Sequence, residues 1–195
     1  MGKDYLKYRW FFTSFRKLVV GGKSAEQNEN IMKKRLDTQD NFVVMHTSSP
    51  GSPFTLIKNP NKNDLDEMAI FTACFSQQWK QNNKEAQVDI FTTEQISKAK
   101  SMKTGTFGVV GKIQRKKAKL ELTLEFQKGK LRCVPRSVVK KPFVILTPGK
   151  MSKEEAAQIL VKIIKDKFHY IMSKDEIMAA IPAKDIEIKE IKGKN

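Results

Sequence analysis

His46 is followed closely by Ser48, Ser49 and Ser52. A hydroxyl beside an imidazole is the minimum for nucleophilic catalysis, but the ring needs an acid to orient it, and none lies near in sequence. Serines in a Ser49-Pro50-Gly51-Ser52 loop more often make turn hydrogen bonds. His169, between Phe168 and Tyr170 at a predicted helix end, reads as structural or merely exposed. Asp64, Asp66 and Glu67 are the clustered carboxylates that a metal-dependent nuclease would need. They fall in a predicted first helical turn, where acids complement the dipole. Cys74 and Cys133 are the only cysteines, and their spacing matches neither a metal site nor a disulfide framework.

Phosphate binding is better supported. Gly21-Gly22-Lys23-Ser24 leads a strand into a helix N-terminus, where free N–H groups favour an anion. The G-x-x-x-x-G-K spacing of a nucleotide-binding loop is missing, and a tight turn plus helix cap explains the glycines equally well. The Ser-Pro-Gly-Ser loop after His46 is a second candidate nest for a phosphate. A third glycine-marked loop, residues 98–112, contains Lys103-Thr104-Gly105-Thr106-Phe107-Gly108. With Trp10, Phe12, Trp79 and Phe107, such loops suit RNA, whose unpaired bases stack on exposed rings. For each ring taken singly, core packing is the commoner role.

The charge distribution agrees. The 195 residues carry 37 Lys+Arg against 21 Asp+Glu, a net of +16. Residues 98–150 hold fifteen of the basic residues and only Glu121 and Glu125 as acids, so nearly all the surplus lies in this third. Lys112, Arg115, Lys116, Lys117 and Lys119 form a cluster with no local acid. A solubilising face would intersperse both signs, so the asymmetry points to a polyanion. Membrane docking is disfavoured, because the surplus lies in strands and turns rather than on an amphipathic helix. With 39% apolar and 30% charged residues the chain is globular; no secretory signal or membrane span is visible, and a cytoplasmic location is expected.

The elements that must position these groups can be read from periodicity. Tyr8 to Val20 predicts a hairpin turning at Thr13-Ser14. Ser24-x-x-Gln27 is a capping box opening a helix to about Leu36. Asn41–His46 and Pro53–Ile57 predict strands, and Asn63 with the following acids opens a central, buried helix around Leu65, Met68, Ala69, Thr72 and Ala73. Gln87–Thr92, Thr106–Ile113 and Leu120–Phe126 predict further strands, which places the basic cluster in a turn where side chains fan into solvent. From Pro142 a strand at Phe143–Leu146, helices opened by Ser152-x-x-Glu155 and Ser173-x-x-Glu176, and a strand around Ile186 and Ile188 follow. The expected fold is α+β: a mixed, mostly antiparallel sheet with flanking helices. Residues 1–141 form the main domain and 142–195 a small C-terminal αβ extension packed on it.

Arg9-Trp10-Phe11-Phe12-Thr13-Ser14 is followed by Leu18 to Lys23 with Gln27-Asn28-Glu29, then by His46 to Ser52. Ala69, Ala73, Ser76 and Trp79 come next, then Gln95-Ile96-Ser97-Lys98 and Lys103 to Phe107 before Gly111-Lys112. In this order the segments resemble the NFACT-R domain, the RNA-binding module of the NFACT proteins of ribosome-associated quality control. The hairpin turn departs from the family's usual Asp-Gly, with Phe15-Arg16 instead. Ser48 replaces an acid that many members carry two residues after the histidine. The resemblance implies a standalone, archaeal-type, non-enzymatic RNA binder acting near tRNA or the large ribosomal subunit.

The expected function is therefore recognition of tRNA or ribosomal RNA, without cofactor, metal or membrane partner. The expected contacts are Arg9, Trp10 and Lys23; His46, Ser49, Gly51 and Ser52; Lys98 and Lys103; and Lys112, Arg115, Lys116, Lys117 and Lys119. Electrostatic capture would precede shape or stacking recognition. An RNA-processing enzyme using His46 and a basic protein-interaction module are the alternatives.

Overall fold

The computed structural model describes residues 3–36 and 40–191. After a 3-10 turn at Lys3–Lys7, β1 (Arg9–Phe12) and β2 (Leu18–Gly21) form the expected hairpin, with Arg9 opposite Gly21. In its turn the Arg16 N–H donates to the Thr13 carbonyl at 2.8 Å, and Arg16 takes φ 59°. A non-glycine residue in this left-handed region costs about 1 kcal/mol. Glu67 helps hold the turn by accepting the Ser14 N–H at 2.9 Å.

Then come α1 (Ala25–Leu36), β3 (Phe42–Thr47), β4 (Thr55–Lys58), α2 (Lys62–Cys74), α3 (Gln77–Lys80) and β5 (Glu85–Thr92). A two-residue ribbon, β6 (Ile96–Ser97) with β7 (Gly108–Val109), precedes β8 (Gln114–Lys119), β9 (Leu122–Gln127) and β10 (Lys130–Pro135). The chain ends with β11 (Val144–Met151), α4 (Lys153–Phe168), α5 (Lys174–Ala180) and β12 (Ile186–Glu190). One six-stranded sheet runs β1, β2, β4, β3, β5, β8, and a four-stranded sheet runs β10, β9, β11, β12. The strand pairings described are antiparallel, so the fold is α+β. The second sheet draws β9 and β10 from before residue 141 and β11 and β12 from after it.

Alternation along β3 divides the core. Met45 joins α2, β1 and the second sheet in one cluster; Phe42 and Val44 face α1 in another. α2 is buried as expected, with Met68, Ala69, Phe71, Thr72, Ala73 and Cys74 inside. Its N-cap is Asn61 rather than Asn63: Asn61 Oδ1 accepts the Asp64 N–H at 2.9 Å, and Asp64 Oδ2 accepts that of Asn61 at 2.8 Å. The reciprocal pairing at N-cap and N3 selects the earlier residue.

Two expectations need correction, and one strand lies where none was expected. Of Thr106–Ile113 only Gly108–Val109 is strand. Gly105 (φ +75°) and Gly111 (φ +83°) bend the chain at either side, and the Gln95 side-chain amide takes the Val110 and Lys112 carbonyls that a ladder would otherwise use. The basic cluster is not in a turn: Arg115 to Lys119 lie within β8, paired to β5 at the edge of the large sheet. Lysines suit an edge strand because they discourage further pairing. β10 was not anticipated; it alternates buried Leu131 and Cys133 with Lys130 and Arg132, after a Lys128-Gly129 turn with both φ positive.

Candidate nucleic-acid interface

β3 ends at Thr47, and the loop beyond it closes on itself. Thr47 N–H donates to Ser52 Oγ at 2.9 Å, and Thr47 Oγ1 to the Ser49 carbonyl at 2.6 Å. Gly51 (φ +91°) accepts the Gln77 N–H at 2.8 Å, and a Cβ there would stand 2.4 Å from Gln77 Cγ. Ser52 is thus a buried brace, whereas Ser49 and Gly51 are exposed.

His46 lies tilted against Phe54, ring centroids 4.6 Å apart. Its Nδ1 is 2.6 Å from the Thr47 carbonyl, an acceptor only, so Nδ1 carries the proton. Burial lowers its pKa, partly countered by that carbonyl and by Asp89. The ring is therefore neutral near pH 7, with Nε2 left as an acceptor. The acid missing from the local sequence comes from β5, where Asp89 pairs in register with His46. Asp89 Oδ1, however, accepts from Ser48 Oγ at 2.6 Å and from Arg115 Nε at 3.1 Å. Ser48 thus turns its hydroxyl to Asp89, and no serine donates to the imidazole among the described residues.

The 98–107 loop is held by Lys98. Its ammonium donates to Glu29 Oε2 (2.8 Å), the Lys103 carbonyl (2.8 Å) and the Thr106 carbonyl (2.9 Å), and sits over the Phe107 ring. Glu29 also accepts the Gly105 N–H at 2.8 Å, and Lys98 followed by that N–H holds its carboxyl down to about 2. All three Lys98 protons are engaged internally. Lys103 is exposed, and its side chain has no partner among the described residues.

The Gly22 turn is partly self-satisfied. Ser24 Oγ accepts the Gln27 N–H at 3.2 Å, and Gln27 Oε1 accepts the Lys23 N–H at 3.0 Å, one residue earlier than a standard capping box. The Lys23 side chain is exposed, and its pKa is lowered by partial desolvation of the ammonium and by Arg9, Arg132 and Lys130. The Arg9 guanidinium lies over the Phe75 ring at 4.5 Å, and burial lowers its pKa to about 10.

These parts converge. One cleft of about 660 Å³ is lined by Arg9, Lys23, His46, Gly51, Ser52 and Phe107 together with Gly22, Gly105 and Asp89. That volume suits a nucleotide-sized group. All three glycine-marked loops reach it. Of the four aromatics, only Phe107 lines it: Trp10 and Trp79 are buried, and Phe12 packs with Tyr5 and Trp10. The Trp79 Nε1–H donates to the Asp185 carbonyl at 3.1 Å.

The 112–119 cluster lies beside the cleft, joined to it through Arg115 and Asp89, and its cations differ in availability. Lys116 pairs with Asp66 on α2, and Lys117 lies 3.6 Å from Glu85. Lys112 and Lys119 have no acidic partner among the described residues. The carboxylates considered for a metal do separate work: Asp64 caps α2, Asp66 pairs with Lys116, and Glu67 braces Ser14 and Ser137. Among the described residues no group of acids, histidines and cysteines could hold a metal ion. Arg132 and Lys153, which approach Arg9 and Lys23 from the second sheet and α4, were not anticipated; the alternation of β10 was the signal for Arg132.

Residues 7–111 match the model of the NFACT protein RNA-binding domain, over half of the chain. The chain belongs to the NFACT-R family. Over 95% of its length it is 31% identical to the archaeal Rqc2 homolog aRqcH of Methanocaldococcus jannaschii, of which it covers 29%. Over 54% of its length it is 29% identical to the ribosome quality control complex subunit NEMF homolog of Drosophila melanogaster, covering 11% of that protein. The chain thus spans less than a third of these relatives. The C-terminal part of the fibronectin/fibrinogen-binding protein of Streptococcus suis shares the fold, with a TM-score of 0.51, 18% identity, and 57% of this chain and 44% of that one covered. The NFACT-R match stops before β8, but the archaeal relative extends across nearly the whole chain.

Proposed function

We propose that this chain is a non-catalytic RNA-binding module that recognises tRNA or ribosomal RNA in ribosome-associated quality control, acting in the cytoplasm at the large ribosomal subunit. The observation that carries this reading is the convergence of three glycine-marked loops, distant in sequence, on one cleft flanked by a cationic strand edge. Lys23 in the cleft, Lys103 exposed on the loop whose Gly105–Phe107 segment lines it, and Lys112 and Lys119 beyond it supply phosphate contacts. Lys98 acts instead by fixing the loop. The neutral His46 offers Nε2 to a donor such as a ribose 2′-hydroxyl, a group that distinguishes RNA from DNA. Residues 1–141 carry these contacts, and 142–195 are the extension, whose strands β11 and β12 complete the second sheet.

Substituting Lys23 and Lys103 together with Gln tests the cleft. RNA affinity should fall at least tenfold, and unchanged affinity would remove the cleft from the interface. Labelled RNA incubated with excess protein should remain intact; cleavage abolished by His46→Ala would favour the processing enzyme instead.

A further inference from the structure

A second cationic group lies at the seam between the sheets. Arg9 comes from β1, Lys23 from the turn before α1 and Arg132 from β10; together they line a crevice of about 10 Å³, room for a single water, walled by Trp10, Phe71 and Phe75. An anion shared by the three would therefore sit at its mouth, where Arg9 and Lys23 also line the large cleft. Lys153, at the start of α4, lies close enough to Arg9 for the two charges to repel. None of these four side chains has a carboxylate partner among the described residues.

Arg9, Lys23 and Arg132, none of them ion-paired among the described residues, repel one another and Lys153, on which Glu154 is the one carboxylate that acts. Partial burial removes the water that would screen them. Each guanidinium is nevertheless held in place by an aromatic face: Arg9 over Phe75 at 4.5 Å, and Arg132 over Trp10 at 4.2 Å. Stacking uses the face of the guanidinium and leaves its edge N–H groups free for a planar acceptor. Arg132 Nε is buried and has no hydrogen-bond partner among the described residues, in a crevice with room for one water. A tetrahedral oxyanion at the mouth would supply negative charge and acceptors for the outer N–H groups of the guanidinium. Arg9 and Lys23 also line the large cleft, so an anion here is continuous with whatever occupies it.

We propose that Arg9, Lys23 and Arg132 form a phosphate-binding site at the end of the cleft. It takes a phosphate group of the RNA strand lying there. The assignment to RNA rests on the function proposed above; the site's affinity for phosphate does not.

The test titrates inorganic phosphate, against chloride at matched ionic strength, into the whole protein and its Arg132→Gln, Lys23→Gln and Lys167→Gln variants, Lys167 being an exposed residue of α4. Calorimetry and tryptophan emission are the readouts, since Trp10 lies under Arg132. The native protein and Lys167→Gln should bind phosphate with a change in emission, and Arg132→Gln and Lys23→Gln at least tenfold more weakly. Lys23 is exposed, so its variant remains informative if Arg132→Gln fails to fold. Equal responses to phosphate and chloride, or equal binding by all four proteins, would overturn the site.

A second arm compares 5′-phosphorylated with 5′-hydroxyl RNA of one sequence. A preference for the phosphorylated end that is lost in both Lys23→Gln and Arg132→Gln identifies a terminal phosphate. An equal loss of affinity for both RNAs identifies a backbone phosphate. RNA affinity unchanged in both variants, while phosphate binding is lost, would overturn the RNA assignment. Failure of the native protein to bind any RNA, with phosphate still bound, would refute the RNA-binding function and leave the anion site standing.

Discussion

Replacing Lys112 and Lys119 together with glutamine removes the two cations of the 112–119 cluster that have no acidic partner among the described residues. Replacing Arg115 and Lys116 removes the same formal charge. Those two, however, are held by Asp89 and Asp66, and Lys116 points toward α2. A cation already paired releases few counterions on binding, whereas a free one contributes about 0.7 to 0.9 to the log–log salt slope for each phosphate it neutralises. The first pair should therefore flatten the slope by about 1.4 to 1.8, the second by less than about 0.5. Between ~50 and ~200 mM salt, the slope difference of the first pair amounts to about a tenfold narrowing of the gap from the native protein. Filter binding of RNA across that range measures both. Equal flattening by the two pairs would refute the reasoning, because availability would then not govern the contacts.

Gly105→Ala forces an L residue to φ +75° and brings a Cβ within 2.9 Å of the Ala25 backbone. It should cost about 1–3 kcal/mol, expressed as lost amide protection in the 98–107 loop ahead of the sheet. Uniform loss across the molecule would contradict that local assignment. The Glu29 carboxyl, held at about 2, contributes stability that is fully present above its ordinary 4.5 and lost as pH falls toward 2. The Gly105 amide shift should titrate with that low midpoint, and a midpoint near 4.5 would show the Lys98 contact to be absent in solution. Cys74 and Cys133 are buried, and burial raises both thiol pKa values. Thiol reagents should label neither until the protein is denatured; rapid labelling of the native protein would contradict their burial.

Much of the fold was legible because its signals are local. The hairpin, the stripe of α2 and the boxes at Ser152 and Ser173 each lie within a few residues, and the latter two form as read. β8 was not legible: Gln114 to Lys119 has almost no apolar alternation, and only its partner β5, some thirty residues earlier, makes it a strand. The acid beside His46 was hidden for the same reason, since strand pairing rather than sequence brings Asp89 there. Each glycine-marked loop could be recognised singly, but their meeting in one cleft follows from tertiary packing alone. The same holds for Lys98, which reads as a phosphate contact in the sequence and whose partner, Glu29, lies on α1.

The central claim is recognition of structured RNA, and it is tested most directly by binding of tRNA, ribosomal RNA and duplex DNA to the native protein across a salt series. The account predicts tRNA or ribosomal RNA well ahead of duplex DNA, with a slope corresponding to several phosphate contacts and measurable affinity at physiological salt. Equal affinity for all three, vanishing near physiological salt, would contradict it and point to an acidic protein partner for the basic face.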